Sequence, residues 1–128
     1  MREISERERE RYRRNLLVDG FGEQGQSRLL ESRVTVVGAG GLGSAVLNYL
    51  VAAGVGHIRI VESDTVSPSN LQRQVLYTTA EIGAPKAEAA AARLSRLNPG
   101  CRLPPMLPSG CTVRRQWSTV PITMPRAV

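Results

Sequence analysis

Residues Val34 to Gly43 read VTVVGAGGLG, a β-branched apolar run that passes directly into a glycine cluster. Val34, Val36 and Val37 suit a buried strand. Gly38, Gly40 and Gly43 then fit the pattern G-x-G-x-x-G, with Gly41 as an extra glycine inside it. The following LGSAVLNYLVAAG carries apolar residues at helical spacing and ends in a glycine stop. The glycines therefore sit between a strand and a helix, which is the context a nucleotide-binding fingerprint requires. Backbone without Cβ atoms can turn tightly and approach a phosphate closely. The helix N-terminus beyond offers free N–H groups and the positive end of a dipole.

A second strand extends the pattern. HIRIVESD, from His57 to Asp64, turns apolar and ends in two acids, with Glu62 placed 24 residues after Gly38. A carboxylate at the end of the second strand of a βαβ unit can accept hydrogen bonds from ribose hydroxyls. To this point a nicotinamide-dependent oxidoreductase and a nucleotide-activating enzyme fit equally.

The segment from Ser63 to Pro99 separates the two. The run RYRRN, GFGEQGQSRLL, VVGAGGLGS, AAGVGHIRIVESD, SNLQRQ, IGAPKAEAA and LNP occurs here in order, from about Arg11 to Pro99. In these motifs the chain resembles the ThiF/MoeB/HesA family, bacterial relatives of the ubiquitin-activating enzymes. The resemblance implies an adenylyltransferase that binds ATP and Mg2+. Its substrate would be the C-terminal glycine carboxylate of a small ubiquitin-like or sulfur-carrier protein ending in Gly-Gly. By matching position, Arg73 and Lys86 would supply positive charge at the phosphates, and Asp64 would lie near the reaction centre. Asn70 and Gln74 would shape the phosphate pocket, and Gly41 would bring backbone against the nucleotide. Arg14 matches an arginine that reaches into the neighbouring subunit's phosphate site, which implies a homodimer through the N-terminal helices. The family usually has aspartate where this chain has Glu62, so altered nucleotide binding is expected.

Other readings of these residues compete. Arg14 closes the alternating run ERERERYRR, which also reads as a solvated helix with paired charges. Lys86 is the one lysine beside sixteen arginines, which makes its position look selected. His57, the single histidine, follows Gly56 at a strand start and reads as structural.

The last 28 residues differ from the rest: no acid, four arginines, five of the eight prolines, both cysteines and the single Trp117. Cys101 and Cys111 form no CxxC pair, so a zinc site is not expected. The family pattern continues past LNP with another strand and helix and an aspartate motif that binds magnesium, none of which is legible here. Residues 1–100 thus read as the N-terminal part of a ThiF-type nucleotide-binding domain, and 101–128 as an unmatched, disordered or frameshifted tail. On this reading the chain binds nucleotide weakly and turns over little.

The expected fold is α/β: a Rossmann-like parallel sheet with N-terminal helices, an incomplete, truncated form of the doubly wound fold. Helices are predicted near Glu6–Leu16, Glu23–Glu31, 42–53 and 85–97, with strands at 34–38 and 57–62 and an exposed sheet edge. The charged first 15 residues contain no apolar signal-peptide core. No apolar run approaches the ~18 residues of a membrane span, so cytoplasm is the expected compartment and no membrane partner is expected. The net charge of +6 resides mostly in the tail, which argues against nucleic acid. Two alternatives to the adenylyltransferase stay open: a non-catalytic nucleotide-binding remnant, and an NAD-dependent oxidoreductase domain, for which no catalytic dyad is visible.

Overall fold

The structure, a computed structural model, describes residues 1–106. Three short N-terminal helices, α1 (Glu6–Arg11), α2 (Arg13–Leu16) and α3 (Gly22–Glu31), precede β1 (Arg33–Val37). Then come α4 (Gly41–Ala53), β2 (His57–Val61), a loop with two 3-10 turns, α5 (Lys86–Leu97) and β3 (Pro105–Met106). The sheet is parallel with strand order β1-β2-β3, and β1 pairs with β2 from Arg33↔His57 to Val37↔Val61.

Period-two alternation sets the core of the sheet. Ile58 and Ile60 are fully buried between less buried neighbours, and Val34 and Val36 of β1 pack on the same cluster. Two helices cover that face. Leu47 and Val51 of α4 are fully buried. Helix α5 presents Ala87, Ala90, Ala91 and Leu94 at helical spacing, and the small side chains let its backbone lie close. The opposite face of β1, with Arg33, Thr35 and Val37, is exposed among the described residues.

The N-terminal helices are fastened to the ends of α4 and α5. The last-turn carbonyls of a helix lack intrahelical donors. Here side chains supply them. Gln26 Nε2 donates to the Ala53 carbonyl at 2.9 Å, and its own Oε1 accepts from Asn15 Nδ2 at 3.0 Å. Asn98 Nδ2 donates to the Val51 carbonyl at 2.9 Å and to Tyr12 Oη at 2.8 Å. Arg11 Nη1 donates to the Leu97 carbonyl at 3.1 Å. Gly54 ends α4 in the left-handed region, with φ +97°, and a Cβ there would press on the Tyr12 ring at 2.8 Å. Much of RYRRN, GFGEQGQ, AAGVG and LNP is therefore architecture.

Two expectations are corrected. The single N-terminal helix over Glu6–Leu16 is broken at Tyr12, where φ −100° and ψ 13° turn the buried ring into the interior. And a third strand exists: Ile58 N–H donates to the Arg102 carbonyl and Arg102 N–H to the Gly56 carbonyl, both at 2.9 Å, before β3 joins β2. Cys101 is buried in this connection, so the fold continues past residue 100. The strand is hard to read because Pro104 and Pro105 donate no N–H, and Pro105 is its first residue, a position that tolerates proline. The tail from 107 onward, including Cys111 and Trp117, lies outside the described residues. No helix among the described residues is long and apolar enough to cross a membrane.

Candidate functional site: a glycine loop under a polar segment

The site lies where β1 and β2 end. Gly38 N–H donates to the Val61 carbonyl at 2.9 Å, which carries the pairing of the two strands into the glycine loop. The loop then enters α4 at Gly41. Gly43 is obligatory for steric reasons, because a Cβ there would overlap the carbonyl oxygen of Gly38. At Gly40 and Gly41 the situation differs. Their nearest neighbours to a built Cβ are Gln74 Nε2 at 3.6 Å and Arg73 Nε at 3.9 Å respectively. The segment SNLQRQ thus lies directly over the glycines.

A narrow antiparallel contact returns the chain to this place. Lys86 N–H donates to the Asp64 carbonyl, Val66 N–H to the Ala84 carbonyl and Gly83 N–H to the Val66 carbonyl, at 2.8–2.9 Å. Residues 67–82 form an excursion closed at that neck, anchored by buried Val66 and Leu76. Its first turn is capped by Asn70, whose Oδ1 accepts from Ser67 N–H at 3.0 Å. That turn presents Arg73, whose Nη1 donates to the Ser69 carbonyl at 3.0 Å and whose side chain is exposed.

Charge converges on the same spot. Glu62 Oε2 accepts from Ala39 N–H at 2.7 Å, and Oε1 accepts from Ser63 and Asp64 N–H at 2.8 and 2.9 Å. A carboxylate has about four acceptor positions, so one remains for a ligand. Burial pushes the Glu62 carboxyl up, but those three N–H groups and the nearby Lys86 ammonium outweigh it and hold it below the usual carboxylate range. Lys86 opens α5 and is only 4% exposed. Among the described residues its ammonium makes no ion pair and no hydrogen bond. Gln74 is 3% exposed, and its Oε1 is buried without a partner. Gln74 Oε1 is buried without a partner, and the Lys86 stem is buried while its ammonium stays open to a ligand, which together fit a polar, anionic group entering over the loop.

Of the residues singled out in the sequence, Gly38, Gly40, Gly41, Gly43, Glu62, Asp64, Arg73, Gln74 and Lys86 are brought together here. Asn70 shapes the turn that carries Arg73 and Gln74. Arg14 is not brought in: it is exposed on α2 and lines a shallow cleft with Glu10, Arg11, Arg13 and Leu17. One residue of the site escaped the sequence reading. Tyr77 is buried, and its hydroxyl donates to the Ala39 carbonyl at 2.6 Å. Its sequence signal is weak, one aromatic residue directly after Val75 and Leu76 that reads as ordinary core.

A parallel sheet with a glycine loop entering its first helix, and an acid closing its second strand, defines a Rossmann-type nucleotide-binding domain. The profile of the ThiF family matches residues 12–107, and the chain belongs to that family. It is 55% identical over 96 residues to the sulfur carrier protein adenylyltransferase of Thermus thermophilus, covering 75% of this chain and 35% of that protein. It is 47% identical over 106 residues to the molybdopterin-synthase adenylyltransferase of Escherichia coli, covering 83% and 43%. Among solved structures, E. coli tRNA N6-threonylcarbamoyladenosine dehydratase, TcdA, in complex with ATP is similar with a TM-score of 0.72 and 32% identity, over 79% of this chain and 41% of that one. The chain thus spans well under half the length of these relatives.

Proposed function

We propose that this chain binds ATP over the glycine loop and serves the adenylation of a small ubiquitin-like or sulfur-carrier protein. The observation that carries the reading is the Lys86 ammonium, free of ion pairs and hydrogen bonds among the described residues and close enough to act on Glu62, with buried, unpartnered Gln74 Oε1 and Arg73 beside the glycines. In such a reaction the carrier's C-terminal glycine carboxylate attacks the α-phosphate, a new C(O)O–P bond forms, and pyrophosphate leaves with the electron pair of the broken P–O bond. Negative charge shifts toward pyrophosphate, and preorganised cations stabilise it. Lys86 and Arg73 supply that charge from this chain. Glu62 offers its remaining acceptor position to a ribose hydroxyl. The loop N–H groups at the start of α4 face the phosphates.

Relatives named as sulfur carrier and molybdopterin-synthase adenylyltransferases support the carrier, and the ATP-bound neighbour supports the nucleotide. The described residues contain no group of three His, Cys, Asp or Glu side chains able to hold a metal ion. Asp64 offers a single carboxylate at the site, and an Mg2+ carried by the triphosphate would take its other ligands from phosphate oxygens and water. Residues 1–100, extended by the third strand to 106, form the first portion of the ThiF-type domain in this reading. Arg14 enters the site only from a second copy, through a homodimer of the N-terminal helices.

Backbone amide shifts on adding ATP to the full chain test the placement. Gly38 to Gly43, Arg73, Gln74 and Lys86 should move, and α3 should not. Shifts confined to α1–α3, or none at saturating ATP, would contradict it.

A further inference from the structure

Ala39 sits in the middle of the glycine loop and is fully buried. Both of its backbone polar groups are held by side chains from other segments. Its N–H is taken by Glu62 at 2.7 Å, and its carbonyl by the Tyr77 hydroxyl at 2.6 Å. Tyr77 belongs to the excursion that carries Arg73 and Gln74, and its own N–H donates to the Gln74 carbonyl at 3.1 Å. Among the described residues, the Tyr77–Ala39 contact is the hydrogen bond that joins the glycine loop to segment 67–84. Without it the two halves of the candidate site meet through packing alone.

We infer that Tyr77 is a positioning residue: its hydroxyl locks the glycine loop to the segment bearing Arg73 and Gln74, and so fixes the spacing between loop amides and cation. The phenol suits the task. It is a buried neutral donor, and burial together with Glu62 and Glu81 raises its pKa and keeps the proton on. A buried carbonyl that loses its donor is penalised by its full desolvation cost, so the lock opens locally when the hydroxyl is removed. The consequence for nucleotide affinity rests on the proposed ATP site; the lock itself does not.

The test is amide hydrogen exchange on the full chain carrying Tyr77→Phe, which keeps the ring and its volume. Exchange at residues 39 and 77, whose amides are bonded to Glu62 and Gln74, should accelerate by roughly five- to ten-fold, while Ile58 and Ile60 keep their wild-type rates. ATP affinity should fall by a similar factor, and the loss caused by Arg73→Ala should shrink in the Tyr77→Phe background. A residue that only adds global stability would accelerate all core amides together and leave the Arg73→Ala loss unchanged. Uniform acceleration, or none at Ala39, overturns the lock. Selective acceleration in a chain that binds no ATP supports the lock and overturns the nucleotide reading instead. Should the variant unfold, the wild type decides. The amides of Ala39 and Tyr77 must then exchange with the same opening free energy, and a difference beyond about ten-fold in rate contradicts a shared opening.

Discussion

Glu62 Oε2 accepts the Ala39 N–H at 2.7 Å, so the end of the second strand and the turn of the glycine loop are one hydrogen-bonded unit. The carboxyl is held below its ordinary value, so the ionised form is favoured by folding. This contribution is complete above the unfolded value near 4.5 and is lost as pH falls through the lowered native one. Glu62→Gln should therefore flatten the fall in stability below about pH 4.5. Chemical denaturation across pH checks this, and an unchanged acid slope would contradict it.

The glycines of the loop divide by what a methyl group would meet. At Gly43 it strikes the Gly38 carbonyl, backbone against backbone. Gly43→Ala should cost about 1–3 kcal/mol of stability, as overpacking typically does. At Gly41 the nearest atom is Arg73 Nε at 3.9 Å. Gly41→Ala should fold normally and bind ATP more weakly, because the methyl occupies the space between loop and Arg73. Thermal melts beside ATP titrations separate the two outcomes.

Lys86 separates binding from stability. Its ammonium makes no direct ion pair or hydrogen bond among the described residues and acts on Glu62 only at a distance. Lys86→Met should change the stability of the free chain by no more than about 1 kcal/mol. The same change should weaken ATP binding by on the order of 1.5–3 kcal/mol, the usual worth of a charge-assisted contact. Loss of stability with unchanged affinity would assign Lys86 to the architecture instead.

Asn98 is the converse case. Its amide ties Tyr12 and Val51 together, and its Oδ1 accepts from Gly100 N–H at 3.2 Å. Asn98→Ala should cost about 1–3 kcal/mol by orphaning buried groups. ATP affinity per folded molecule should not change.

What could be read in the sequence follows from periodicity and position. The β1 and β2 runs, α4 and α5 announce themselves through alternation, alanine spacing and their glycine or proline boundaries. Glu62 was legible from its place at the end of the second strand, whereas Arg73 and Lys86 were placed beside it only by the resemblance to the ThiF/MoeB/HesA family. The lock through Tyr77 was not, since a hydroxyl meeting a carbonyl 38 residues away leaves no local pattern. Nor was the third strand, because Pro104 and Pro105 at its start read as a breaker. The structural weight of Tyr12, Asn15 and Asn98 was hidden for a similar reason. Asn15 and Asn98 cap helix carbonyls distant in the chain and the Tyr12 hydroxyl accepts from Asn98, contacts that local sequence does not encode.

The space beside the glycine loop, Arg73 and Lys86 is proposed to take a nucleoside triphosphate. Isothermal titration of the full chain with ATP and with NAD, under identical conditions, tests it most directly. Saturable ATP binding, tighter than any binding of NAD, is the expected result. Binding of NAD with no detectable binding of ATP would contradict it.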